Sequence, residues 1–399
     1  MMKKNQSRSG RYLPVDFSRY KALKRGSQLS DLFSVLRQDD YDSLKQVGFD
    51  MKRPAETGRY LLYDHNPFTS FPQKEGVEIL PLPDALVCYP WIKEKYFFKA
   101  INPDMDEFTR QVAMGDNQGY FIRVKKNIRL STPVHAGFLI HTPQGLQLVH
   151  NIVVIEEGAQ LHLITGCVSG KHNREGLHVA VSEYYVEKNA KFINTMIHNW
   201  GPDFVVRPRA GTIVAENATF VSNYYSVAPP KSIESRPYTD LKGENSSAKY
   251  LTVLVSMPDS YCDVGGTVRM SGENTSAELV ARAVNYGGTV LQTGLLIGAA
   301  KGARGHVDCS GLMLSDGGVI EAVPGLRATH PDARMSHEAA IGKIDRGEVN
   351  YLQSKGLPEM QAIALIIRGF LNIGIEVEGL DAELEKMIQQ ISELSGHGE

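Results

Sequence analysis

A short corner motif recurs through the middle of this 399-residue chain at nearly constant spacing, a pattern that few folds tolerate. The segments Glu157 to Ala159, Lys188 to Ala190, Glu216 to Ala218, Glu244 to Ser246 and Glu273 to Thr275 follow one another at intervals of about 31, 28, 28 and 29 residues, and weaker copies stand at Gly302-Ala303 and Asp332-Ala333. The central Asn or Gly reads as a tight corner, because those residues best tolerate a positive φ. Each corner leads into an alternating segment, such as Leu161 to Ile164, Phe192 to Thr195 or Phe220 to Asn223. Units of this length with no amphipathic helix of their own stack as coils of a parallel β-helix, each coil covering the apolar interior of the next. A β-sandwich with recurrent hairpin turns is the competing architecture. The small residue after the corner (Ala159, Ala190, Ala218) fits a tapering coil interior better.

The flanks have a different pattern. Residues 1–117 mix helical patches, Leu29 to Arg37 and Tyr41 to Val47, with a proline-rich connection around Pro81, Pro83 and Pro90. The β-helix core is expected over 118–346 and a helical region over 347–399. Gly356 reads as a helix stop, and Pro358-Glu359 opens a new helix. Ile363, Ile366, Ile367, Phe370 and Leu371 form one apolar stripe on that helix, and a last helix near Asp381 repeats Leu384, Met387, Ile388, Ile391 and Leu394. Such stripes are core or docking surface. A solenoid must cap its open end or bind something there, which favours docking at this position.

Composition narrows the function classes. Forty-three basic residues stand against 45 acidic ones, a formal net charge of -2, so nothing marks a nucleic-acid partner. Lys3, Lys4, Arg8 and Arg11 precede no apolar run of signal-peptide length, and Thr289 to Ala300, broken by Gln292 and Thr293, is far short of the roughly 20 residues that span a bilayer. A cytoplasmic protein with no membrane association is expected. Four cysteines, Cys88, Cys167, Cys262 and Cys309, include no CxxC pair, which argues against a zinc ribbon or a disulfide scaffold. No GxxxxGK[ST] loop is present, so any ATP hydrolysis belongs to another chain. The rival function is a carbohydrate-active β-helix enzyme. It needs paired carboxylates, and only Asp259 and Asp263, in a turn-like stretch around Cys262, are near each other in sequence.

Several motifs together resemble the SufB/SufD family of the SUF iron-sulfur cluster assembly machinery. They are Cys309 to Leu314, Met335 to Ile344 with its His337-Glu338-Ala339 signature, and Tyr351 to Glu359 with the helix to Phe370. Upstream, Ile164 to Cys167, Leu177 to Glu183 and His198 to Trp200 resemble the family's other thiol segment and its Asn-Trp landmark. The similarity spans roughly residues 120 to 375. Both family thiols are present, so the chain is more similar to SufB than to SufD. It departs from the pattern at Gly317-Gly318, where a second Cys is frequent, and at Ser336, where an acidic residue is frequent. The resemblance implies a right-handed parallel β-helix acting as a non-catalytic scaffold for nascent iron-sulfur clusters, in complex with the ABC-type ATPase SufC. It further implies a second copy or a SufD-like paralogue as partner subunit, together with a sulfur donor and apo-protein acceptors. Cys167 would accept or relay sulfur; Cys309, Glu338 and His337 would hold the cluster; Ile363, Ile366, Ile367 and Phe370 would lie on the ATPase-docking helices.

Spacing adds a geometric expectation. Cys309 precedes His337 by 28 residues and Glu338 by 29, one repeat in either case. One repeat advances the chain by a strand spacing of about 4.8 Å, so the thiol is expected beside one of the two, and strand alternation decides which. Cys167 lies 142 residues before Cys309, five coils or about 24 Å away, too far to share an iron within one chain. Sulfur would have to travel between the thiols, and His162 and Asn194 are candidates for polar groups along an interior route.

Overall fold

The corners are where the sequence places them. In the computed structural model, which describes residues 14–26, 29, 35–51, 57–70, 75–374, 385 and 388–389, Asn189, Asn217, Asn245 and Asn274 all have φ between 55° and 57°. Gly158 and Gly302 take the same role at 69° and 70°. The asparagines also stack on one another. Asn217 donates its side-chain amide to Asn189 at 3.2 Å and Asn245 donates to Asn217 at 3.1 Å, so one residue type supplies both the backbone geometry and the bond to the next coil. Behind each corner a small residue is buried: Ala159, Ala190, Ala218, Ser246, Thr275 and Ala303.

Between corners the chain forms a parallel β-solenoid of about 8 turns, built from two facing sheets. The first sheet runs from Gly145–Ile155 through Gly176–Val186, Val205–Val214, the split strand Ser232–Ser235 and Tyr238–Leu241, Tyr261–Met270 and Thr289–Gly298 to Val319–Ala328. The second runs from Val134–Ile140 through Gln160–Ser169, Lys191–Asn199, Thr219–Ala228, Ser247–Ser256, Ser276–Asn285 and Arg304–Met313 to Arg334–Lys343. Inward positions alternate with outward ones. Leu161, Leu163, Phe192, Phe220, Leu254, Leu279 and Val307 of the second sheet meet Val149, Val206, Val264 and Val290 of the first in one continuous core.

The two ends differ. At the amino-terminal end the antiparallel strands Val77–Pro81 and Asn66–Ser70 close the sheets. At the carboxy-terminal end Val319–Ala328 and Arg334–Lys343 are the last strands, with one edge of each unpaired among the described residues. Val319, Val323 and Ile341 there are 54%, 47% and 45% exposed.

Helices cover the outer faces. Leu44 of Gln38–Gln46 and Val47, which caps it, pack against Ile164 and Ile197 of the second sheet. Farther along that face, Arg346–Ser354 and Glu359–Leu371 place Val349, Ile363, Ile367 and Leu371 in one apolar cluster with Val284 and Leu312. Gly356, at φ 96°, ends the first of these two helices, and Pro358 precedes the first turn of the second. The expected helix at Leu29 to Arg37 and the last helix from Asp381 fall largely outside the described residues. No described helix is long and apolar enough to cross a membrane.

Candidate functional site

Cys309 lies on the last-but-one strand of the second sheet and points into the solenoid, 3% exposed. Its register partners are Ala281 on one side and Ala339 on the other. The thiol therefore faces neither His337 nor Glu338 directly, contrary to the spacing argument. The reason is local. Ser276–Asn285 pairs with Arg304–Met313 at a step of 28 residues, but Arg304–Met313 pairs with Arg334–Lys343 at a step of 30. The turn between Met313 and Val319 holds five residues, where the corresponding turn between Asn285 and Thr289 holds three. These two extra residues, in the stretch containing Gly317-Gly318, move the last coil's register.

His337 pairs with Val307 and shares the inward face of Cys309, one diagonal step away. Glu338 pairs with Asp308 on the outer face. Both His337 and Glu338 are exposed, and among the described residues no further coil covers them. Asp308 was not singled out by the sequence. It accepts from Arg282 at 2.6 Å and from Ser310 at 3.1 Å. Burial raises its pKa, but the Arg282 hydrogen bond and charge outweigh that and hold it below the usual value. The only sequence signal for this pair is an outward-facing Arg and Asp in consecutive repeats. Burial pushes the Cys309 thiol up to about 11, with the Asp308 charge adding to the effect and Arg282 opposing it. The thiol is therefore protonated at neutral pH, and a metal ion must displace its proton. Among the described residues no three His, Cys, Asp or Glu side chains converge to hold a metal ion. One chain supplies a partial ligand set at an open end.

Cys167 lies in the same sheet and also points inward. Its register partners are Phe138 and His198, and five strand steps separate its strand from that of Cys309, as the repeat count predicts. Burial drives its pKa far above that of a free thiol. His198 Nδ1 and the Tyr224 hydroxyl are 3.1 Å apart, whereas His198 Nε2 and the indole nitrogen of Trp200 are buried with no hydrogen-bond partner among the described residues. Burial lowers the His178 and His198 pKa values to about 3, so both rings are neutral. A narrow cavity of about 80 Å³ lies between the sheets, lined at one end by Asn194 and Met196 and at the other by Val307 and Cys309. Asn194 faces this interior cavity. His162 does not, because it sits on the outer face and hydrogen-bonds Thr195 Oγ1 at 2.9 Å.

The carboxy-terminal stripe is turned toward the sheet. Ile363 and Ile367 are buried, and Ile366 and Phe370 are half-buried at the margin of the same cluster, with the Arg282 guanidinium 6.0 Å from the Phe370 ring centre. The opposite side of this helix pair exposes Tyr351, Met360 and Leu365. The carboxylates needed by a carbohydrate-active enzyme do not pair: Asp259 is exposed at a corner, whereas Asp263 is buried and bonded to Arg236.

A family model for the SufBD core domain of the SUF system for FeS cluster assembly matches residues 138–370, and the chain belongs to that family. An iron-sulfur cluster assembly SufBD family protein of Archaeoglobus fulgidus is 39% identical over 356 residues, covering 89% of this chain and 95% of the relative. One from Methanothermobacter thermautotrophicus is 38% identical over 362 residues, 90% of this chain and 88% of the relative. One from Pyrococcus horikoshii is 33% identical over 336 residues, 84% and 74% respectively.

Proposed function

We propose that this chain is a non-catalytic, SufB-like scaffold on which a nascent iron-sulfur cluster is assembled at Cys309, between two solenoids joined at their open ends. The observation that carries this reading is the incomplete ligand set at Cys309: one buried thiol with His337 on the same face, beside two exposed strand edges. Unpaired edges with exposed Val319, Val323 and Ile341 favour pairing with another chain. A second copy or a SufD-like subunit would bring further ligands to the same place. A mixed, incomplete site suits a cluster that has to be handed on, since full thiolate ligation favours retention.

Cys167 serves in this reading as the entry thiol for sulfur from a persulfide-bearing donor protein, and the cavity that begins at Asn194 and Met196, one strand past Cys167, and ends at Cys309 supports the later part of an interior route. Cys167→Ser is expected to abolish cluster formation from the persulfide donor while sparing reconstitution with free sulfide. Equal loss under both conditions would sink the relay.

The SufC-type ATPase docks, in the same reading, on the exposed side of the helices Arg346–Ser354 and Glu359–Leu371. Leu365→Glu combined with Tyr351→Glu should prevent co-purification with the ATPase and leave the far-ultraviolet circular dichroism unchanged, because both side chains are exposed. Retained binding would move the docking site elsewhere.

A further inference from the structure

A second cavity, of about 490 Å³, lies on the outer face of the first sheet, away from both thiols. Its floor is Arg207 and Ser232, and one wall is the amino-terminal turn around Phe17–Arg19. Arg207 is 1% exposed. Its Nη1 donates to the carbonyls of Val206 at 3.0 Å and Ser232 at 3.2 Å, and its Nη2 is 3.2 Å from Glu234 Oε1. Among the described residues its Nε has no partner, and neither does the buried Ser232 hydroxyl. Two buried donors left without an acceptor, in residues that line one cavity, are costly unless something accepts from them. Five donors in a fixed fork make Arg the side chain suited to a planar carboxylate.

The rim selects the kind of anion. Asp16, Glu175, Asp203 and Asp259 line the cavity against Arg19 and Lys231. Arg19 is already paired with Glu175 at 3.1 Å, Arg207 with Glu234, and Asp203 is 3.6 Å from Arg174, which stands outside the lining. A phosphate dianion would meet this excess of carboxylates with little free positive charge to balance it. A zwitterion fits both ends, with its carboxylate on the floor and its ammonium among the rim carboxylates. The volume is within the range of small-molecule sites. We propose that this cavity binds a free α-amino acid, its carboxylate accepting from Arg207 Nε and Ser232 Oγ and its ammonium facing Asp203 and Asp259.

This site is independent of cluster assembly, so its failure leaves that reading untouched. The full chain is titrated by calorimetry with each proteinogenic amino acid at millimolar concentration, and in parallel with acetate and with inorganic phosphate. At least one amino acid is expected to bind, and more tightly than acetate or phosphate. Ser232→Ala should weaken that binding roughly tenfold, as expected for a lost hydrogen bond to a charged group. Arg207→Lys should abolish it. Because Arg207 is buried, its variant is read only with an unchanged circular dichroism spectrum; Ser232→Ala and Asp203→Asn carry the test otherwise, each lowering affinity. Phosphate binding as tightly as any amino acid would overturn the zwitterion assignment. No binding by any amino acid, or binding unchanged in Ser232→Ala and Asp203→Asn, would overturn the site.

Discussion

Cys309→Ser is expected to remove cluster binding altogether in anaerobic reconstitution with ferrous iron and sulfide, leaving no charge-transfer absorption. The only thiol at the open end is lost, and the hard groups left behind, His337 on the inner face and Asp308 and Glu338 on the outer, do not converge on one point. The two flanking substitutions should be unequal. His337→Ala should weaken iron retention more than Glu338→Ala, because His337 shares the face of Cys309 and Glu338 does not. A larger effect from Glu338 would show that the last strand slips by one residue when it is loaded. Iron binding by the wild type should also tighten as the pH rises. The thiol of the free chain titrates at about 11 and must lose its proton to ligate. Below that value each pH unit should raise affinity by about tenfold for one displaced proton. A flat pH profile would rule out the thiol as the ligand.

Glu183→Ala should produce the largest loss of stability of any single substitution on the outer face of the first sheet. The Glu183 carboxylate is fully buried and accepts from the backbone amides of Phe98, Lys99 and Ala100 at 2.6, 2.7 and 2.7 Å. The Tyr185 hydroxyl donates to it at 2.9 Å, and His150 Nε2 is 2.9 Å away. This one side chain ties the amino-terminal connection to the solenoid and holds Phe98 at φ 52°, a conformation that successive amides pointing at an anion make favourable. Truncation leaves several buried donors unpaired, and removing one member of a buried charged network costs about 3–5 kcal/mol. The urea midpoint followed by circular dichroism should fall accordingly, with Glu183→Gln intermediate because it keeps one acceptor oxygen. A midpoint within error of the wild type would mean that the connection is held by its aromatic packing alone.

The difference between what could and could not be read from the sequence follows from range. A corner asparagine needs a positive φ and shows it in the residue itself, so the coils, their number between the thiols and the alternation along each strand are legible. The helix stop at Gly356 and start at Pro358 are legible for the same reason. Register in the last coil is not. It depends on the length of one turn, Leu314 to Gly318, and two residues there move Cys309 from beside His337 to beside Ala339. The apolar stripe Ile363, Ile367, Leu371 is visible as a stripe, but which surface it covers is decided by Val284 and Leu312, far away in the chain. The Glu183 network is invisible, since its amide donors lie 83 to 85 residues upstream. A glutamate inside a strand has no local feature that reveals such partners.

The central claim is that the cluster is built between two chains at the open ends of their solenoids, on Cys309. Native mass spectrometry of the anaerobically reconstituted protein, purified with its partner subunits, tests this most directly. The account predicts that the added mass of iron and sulfide appears on two-chain species alone and disappears when Cys309 is replaced by serine. A single chain that retains the complete cluster, or a Cys309→Ser complex carrying the wild-type cluster mass, would contradict it.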